Sequence, residues 1–170
     1  MTRPFFRFAL GLLAAGLFAL PALAQFRVEV SGVGLTQVPI AFAPLRGEET
    51  SPQKISTIVQ ADLERSGQFR GVTAGVVVDE TQRPDISAMR QKGADALLTG
   101  SISKMADGRY DVRIRLWDVV RGQDLGAMSY VVVTGDLRLA SHRISDFVYE
   151  KLTGDKGVFS TRIAYVTKAG

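Results

Sequence analysis

His142 is the only imidazole in the sequence, and there is no cysteine. That pair of facts excludes a Cys-His nucleophile and any multi-histidine metal site. A Ser-His-Asp arrangement would have to use His142 itself. Ser141, Ser145 and Asp146 are close to it in sequence, but neighbours on one helix do not converge on a shared reacting atom. Ala140 and Ile144 define the apolar face of that helix, so His142 is expected on the polar side, in solvent.

Two acid pairs, Asp62 with Glu64 and Asp79 with Glu80, raise the question of paired-carboxylate catalysis. Neither spacing places both groups on one face of a helix or strand, and solvated surface charge is the expectation. Gly67, Gly71 and Gly75 fall in an expected loop with no lysine and Ser/Thr after them, so no phosphate-binding loop is present. Trp117 sits among charged residues of its strand, where it either marks a partner surface or covers the sheet against a helix, the commoner role. No catalytic, cofactor-binding or metal-ligating set emerges, which argues against an enzyme.

The elements around these residues read as α/β, a mixed sheet with about three helices. Val38 to Ala43 is an apolar first strand ended by Pro44 and Gly47. Ser51-Pro52 has the form of an N-cap and first helical residue, and Ile55, Ile58, Val59 and Leu63 then recur at helical spacing. A short helix is expected over Asp85 to Lys92. Tyr110, Val112, Ile114 and Leu116 alternate with Asp111, Arg113, Arg115 and Trp117, the pattern of a half-buried antiparallel strand. Ala94 to Lys104 precedes it across Asp107-Gly108, and Leu125 to Val133 follows across Arg121-Gly122, giving a three-strand meander. A last helix starts near Asp136, buries Leu137, Ala140, Ile144, Phe147, Val148 and Leu152, and stops at Gly154. The order is strand, helix, strand, helix, three strands, helix.

Export is written at the front of the chain. Met1 to Arg7 carries two arginines and no acid, Phe8 to Leu20 is unbroken and apolar, and Pro21 precedes Ala22-Leu23-Ala24, a small-x-small cleavage pattern. Residues 1–24 are therefore expected to be a signal peptide, cut between Ala24 and Gln25. Thirteen apolar residues reach about 20 Å as a helix, short of a hydrocarbon core of about 30 Å, so no membrane anchor is expected. Without cysteine there is neither a lipidation site nor a disulfide framework, and stability must come from a packed core. Removing Arg3 and Arg7 from the 21 basic residues leaves 19 against 17 acidic, a net of +2. That balance, with no basic stripe, argues against nucleic acid.

Gln25 to Ser31 alternates Phe26, Val28 and Val30 with Arg27, Glu29 and Ser31, a short strand followed by the flexible Gly32-Val33-Gly34. At the other end, Gly154-Asp155-Lys156-Gly157 suits a domain boundary. The strand-like run Val158 to Lys168 beyond it has nothing to pair with before Gly170. The expected organisation is 1–24 signal peptide, 25–36 extended segment, 37–154 α/β domain, and 155–170 a linker with an isolated strand.

Three stretches resemble the TolB family. Lys151-Leu152-Thr153-Gly154 with Gly157, Phe159 and Thr161-Arg162-Ile163-Ala164-Tyr165-Val166 is similar to the junction where that family passes into its carboxy-terminal β-propeller. Val30-Ser31-Gly32-Val33 followed by Pro39-Ile40-Ala41 is similar to the family's mature start, and Ala94 to Gly100 also fits. The resemblance covers residues 25 to 170, the front of the family's chain only.

The resemblance implies a non-enzymatic periplasmic adaptor of the Tol-Pal complex without cofactor, linking TolA to the lipoprotein Pal. It would serve outer-membrane integrity, invagination at cell division and, in some bacteria, colicin import. TolA's carboxy-terminal domain is the expected partner of Gln25, Phe26, Arg27, Val28, Glu29, Val30, Ser31, Gly32, Val33 and Gly34, by strand addition. Pal contacts belong to the family's propeller, of which only the first strand is expected here, so they are assigned to no residue. Two other readings are an accessory subunit of cell-wall synthesis or secretion with a similar α/β build, and an exported hydrolase that would depend on His142.

Overall fold

The computed structural model describes residues 36–161. The leader, its cleavage site, the expected partner segment 25–34 and residues 162–170 lie outside the described residues.

Five strands form one mixed sheet in the order β2-β1-β3-β4-β5. They are β1 (Val38–Phe42), β2 (Phe69–Thr73), β3 (Ala96–Lys104), β4 (Tyr110–Asp118) and β5 (Gln123–Val132). The helices are α1 (Ile55–Arg65), α2 (Ile86–Gln91) and α3 (Leu137–Thr153). This is the expected mixed α/β architecture. β1 pairs in parallel with β2 on one side and β3 on the other, while β3, β4 and β5 form the antiparallel meander.

Strand alternation divides the core in two. Ile40, Phe42, Leu98, Val112, Ile114 and Leu116 face α1 and α3, where they meet Ile55, Val59, Leu63, Leu137, Ile144 and Val148. Ala41, Leu97, Trp117 and Val119 turn to the opposite face and pack with Met89 of α2. Apolar burial on both faces at about 25 cal/mol per Å² is what holds helices against this sheet. Trp117 is 7% exposed, so it covers the sheet. Its indole N–H donates to the Thr99 hydroxyl at 3.3 Å.

Three local expectations need correction. Ser51-Pro52 does not open α1, which starts at Ile55 after Lys54. The buried Glu48 caps it instead: its carboxylate accepts from the Ser56 N–H at 2.7 Å and the Ser56 hydroxyl at 2.6 Å. A carboxylate in that place satisfies a free helix N–H and opposes the positive end of the helix dipole. Gly71 does not lie in a loop but in β2. A Cβ there would press on Glu64 Oε1 and Gln60 Nε2, the ends of two flexible α1 side chains that would have to shift aside. Asp85 caps α2 rather than lying in it, accepting from the Ala88 N–H at 3.0 Å.

Candidate functional site

The polar residues singled out by chemistry are brought together differently from their sequence spacing. α1 and α3 lie side by side on one face of the sheet, and Asp62 of α1, 6% exposed, points into the seam. His142 and Ser145 of α3 both meet it. His142 Nδ1 lies 2.6 Å from Asp62 Oδ2, and the Ser145 hydroxyl lies 2.9 Å from the same oxygen. A carboxylate only accepts, so Nδ1 carries the proton, as a neutral tautomer or as imidazolium. Arg65 stands farther off, 3.8 Å from Asp62 Oδ1.

His142 is therefore not a solvated helix histidine: its side chain is 21% exposed and paired. Asp62 is not solvated surface charge. The helix of His142 alone lacks a convergent set, as expected, but the third member comes from α1.

The connectivity determines what this cluster can do. In a nucleophilic triad the imidazole stands between hydroxyl and acid and takes the hydroxyl proton. Here hydroxyl and imidazole share one carboxylate oxygen, and Ser145 is fully buried, its oxygen also 3.1 Å from the Ser141 carbonyl. Ser145 thus has neither a base nor access to a substrate. The arrangement joins two helices through a desolvated, satisfied carboxylate.

The second acid pair is also buried, Asp79 and Glu80 each at 9% exposure. Asp79 Oδ1 accepts from the Thr81 hydroxyl (2.7 Å), the Thr81 N–H (2.9 Å) and the Gln82 N–H (3.0 Å), and Oδ2 pairs with Arg46 at 3.2 Å. The Thr81 hydroxyl, the largest influence, holds the Asp79 carboxyl below its ordinary range, helped by the Thr81 and Gln82 N–H groups and Arg46 and opposed by burial. This turn closes the loop after β2 and carries no reacting pair. Glu64, by contrast, is exposed and accepts from the Gly71 N–H at 3.1 Å.

Beyond Gly154, which ends α3 at φ +84°, the chain turns back over the same seam. The Asp146 carboxylate accepts from the Phe159 N–H at 2.7 Å and the Ser160 N–H at 3.1 Å. The Phe159 ring stands edge-on to Tyr149 at 5.8 Å, and Tyr149 meets Phe69 in the same way. A Cβ on Gly157 would fall 2.5 Å from the Asp146 Cα, so a residue without one is needed for this close approach. Shallow clefts of ≈ 250 and ≈ 280 Å³ flank Phe159, the first lined by Asp62, Arg65 and Tyr149, the second by Arg138 and His142. Among the described residues no group of three or more His, Cys, Asp or Glu could hold a metal ion, and no helix is long and apolar enough to cross a membrane.

Fold and site together define a small mixed-sheet α/β domain whose Ser-His-Asp cluster clamps helices and whose carboxy-terminal strap is bound to α3. The chain belongs to the TolB family: the model of the TolB amino-terminal domain matches residues 26–125. The Tol-Pal system protein TolB of Polaromonas naphthalenivorans (strain CJ2) is 71% identical over 166 residues, which are 96% of this chain and 39% of that protein. The Tol-Pal system protein TolB of Aromatoleum aromaticum (strain DSM 19018 / LMG 30748 / EbN1) is 49% identical over 162 residues, 94% of this chain and 38% of its own. This chain thus spans about two fifths of the length of these relatives. The crystal structure of TolB from Acinetobacter baumannii matches 73% of this chain and 30% of that chain, with a TM-score of 0.62 and 31% identity.

Proposed function

We propose that this chain provides the amino-terminal domain of a non-enzymatic periplasmic adaptor in the Tol-Pal system, linking TolA to Pal. Membership of the TolB family supports the system, and the geometry at Asp62 counts against the hydrolase that would depend on His142. The one cluster with the composition of a catalytic triad is committed to joining α1 and α3. Export by cleavage after Ala24 delivers the chain to the periplasm, and intact-mass measurement of the periplasmic fraction tests it.

Residues 25–34 carry the TolA contact by adding a strand to an exposed sheet edge of TolA's carboxy-terminal domain. The alternation of Phe26, Val28 and Val30, followed by Gly32 and Gly34, supports this. Net hydrogen bonds of about 0.5–1.5 kcal/mol each against an ordering cost of about 1–2 kcal/mol per residue give weak, reversible binding. Residues 155–170 form the passage into a propeller, where Pal, and in some bacteria colicins, would bind. The cellular roles are outer-membrane integrity and invagination at division.

Calorimetric titration of TolA's carboxy-terminal domain with the chain beginning at Gln25 and with one beginning at Leu35 tests the reading. Heat of binding is expected from the first alone. Equal binding by both overturns the assignment of residues 25–34.

A further inference from the structure

β5 is an edge strand of ten residues, and among the described residues no other strand pairs with its outer side. The backbone phase follows from β3. The Gly100 N–H donates to the Val78 carbonyl and its own carbonyl accepts from Arg46, so Gly100 faces away from β4. Gly100 is in register with Ile114, and Ile114 with Met128. In an antiparallel ladder the direction alternates at every residue. Ile114 therefore bonds toward Met128, whereas Arg113 and Arg115 bond toward β3. Their β5 partners Ser129 and Ala127, and Val131 next in phase, present N–H and C=O outward. None of these outward groups has a backbone partner among the described residues.

Natural edges are normally blunted by charge, proline or a covering element. Leu125 to Val133 has neither charge nor proline, and Val131 is 47% exposed. Beside the edge on the helix face runs a row from α3 at i, i+4 and i+8: Arg143, Phe147 and Lys151. Burial is the main influence that pushes the Tyr130 hydroxyl up, and the charges of Arg143 and Asp146 act on it in opposite senses. Phe147 and Lys151 lie 3.4 and 3.7 Å from where a Gly126 side chain would begin, and Lys151 Nζ is 5.8 Å from the Phe147 ring centre. Neither cation has a carboxylate in ion-pair range among the described residues, unlike Arg46, Arg109, Arg113, Arg115 and Arg121. Helix and edge strand thus form a groove with a hydrogen-bonding wall, an apolar centre and, at each end, a cation without a carboxylate partner among the described residues.

We propose that this groove receives an extended segment of a partner protein as a sixth strand, with two acidic side chains four residues apart flanking an apolar one. The spacing follows from the two elements. Eight helical residues rise about 12 Å from Arg143 to Lys151, and four strand residues advance about 14 Å. Backbone pairing supplies binding, and the alternating side chains supply selectivity.

Fluorescence anisotropy of the full chain with a labelled synthetic peptide tests this. The probe alternates threonine on one face with glutamate, valine and glutamate on the other. Saturable binding is expected, weakened about tenfold by R143E/K151E and recovered in that variant by a lysine version of the peptide. N-methylation of the peptide's alternate amides should abolish binding in one phase and leave it intact in the other, a readout that leaves the protein's fold untouched. Absent saturation, equal binding of glutamate and lysine peptides by the unmodified chain, or indifference to methylation phase each overturns the proposal. So does sedimentation showing that a second copy of the chain fills the edge.

Discussion

Asp62 and His142 are 80 residues apart in sequence and 2.6 Å apart in space, and their contact ties the last turn of α1 to the second turn of α3. Substituting His142 by alanine leaves a buried carboxylate with Ser145 as its remaining close donor, and a loss of about 1–3 kcal/mol is expected in urea unfolding. Asp62→Ala removes the same contact. The double variant should lose clearly less than the sum of the two, and strict additivity would show that the pair does not couple.

The Asp146 carboxylate binds the strap through two main-chain N–H groups. Asp146→Ala should free residues 157–161 and speed tryptic cleavage after Lys156 by about tenfold or more. Phe159→Ala should act in the same direction, since it removes the edge-on contact with Tyr149. An unchanged cleavage rate in both would mean that the strap is not held by α3.

Acid should loosen the loop after β2. The Asp79 carboxyl is held below its ordinary value in the folded state, so its contribution is fully present above the unfolded value of about 3.9. It is lost as pH falls through the folded value. Thr81→Val removes the leading cause of the shift. The Asp79 titration, followed by carboxyl-carbon NMR, should then move up toward the ordinary value. No movement would show that the hydroxyl does not set it.

Trp117 is the one tryptophan of the chain, which makes its environment directly readable. At 7% exposure, within hydrogen-bonding reach of Thr99 and under Arg115 at 5.9 Å, it should emit at short wavelength and resist acrylamide quenching. Trp117→Ala should cost about 3–5 kcal/mol. Ready quenching in the folded chain would return Trp117 to the surface.

Periodicity made the larger part of this fold legible. The strict alternation of β4 and the 3.6-residue spacing of α3 placed the meander and the long helix, because each element buries one face and shows the other. β2 had no such signal: Phe69-Arg70-Gly71-Val72-Thr73 is short, lies at an edge and carries a glycine that reads as loop. Its place in the sheet depends on β1, not on its own pattern. The Asp62 cluster was invisible for a related reason. Spacing correctly kept His142 off the apolar face of α3, but no local rule reveals that α1 packs along that flank and converts a polar position into a half-buried one. The capping role of Glu48 was likewise hidden, since it acts from outside the helix across eight residues.

The position of β1 has a mechanical consequence. It enters the sheet between two parallel neighbours, in register with five residues of β2 and three of β3. A tension applied at Thr36 along the strand axis loads these ladders in shear, so their hydrogen bonds share the force rather than opening one after another. A tether attached just ahead of β1 would therefore pull on the strand that the sheet grips from both sides.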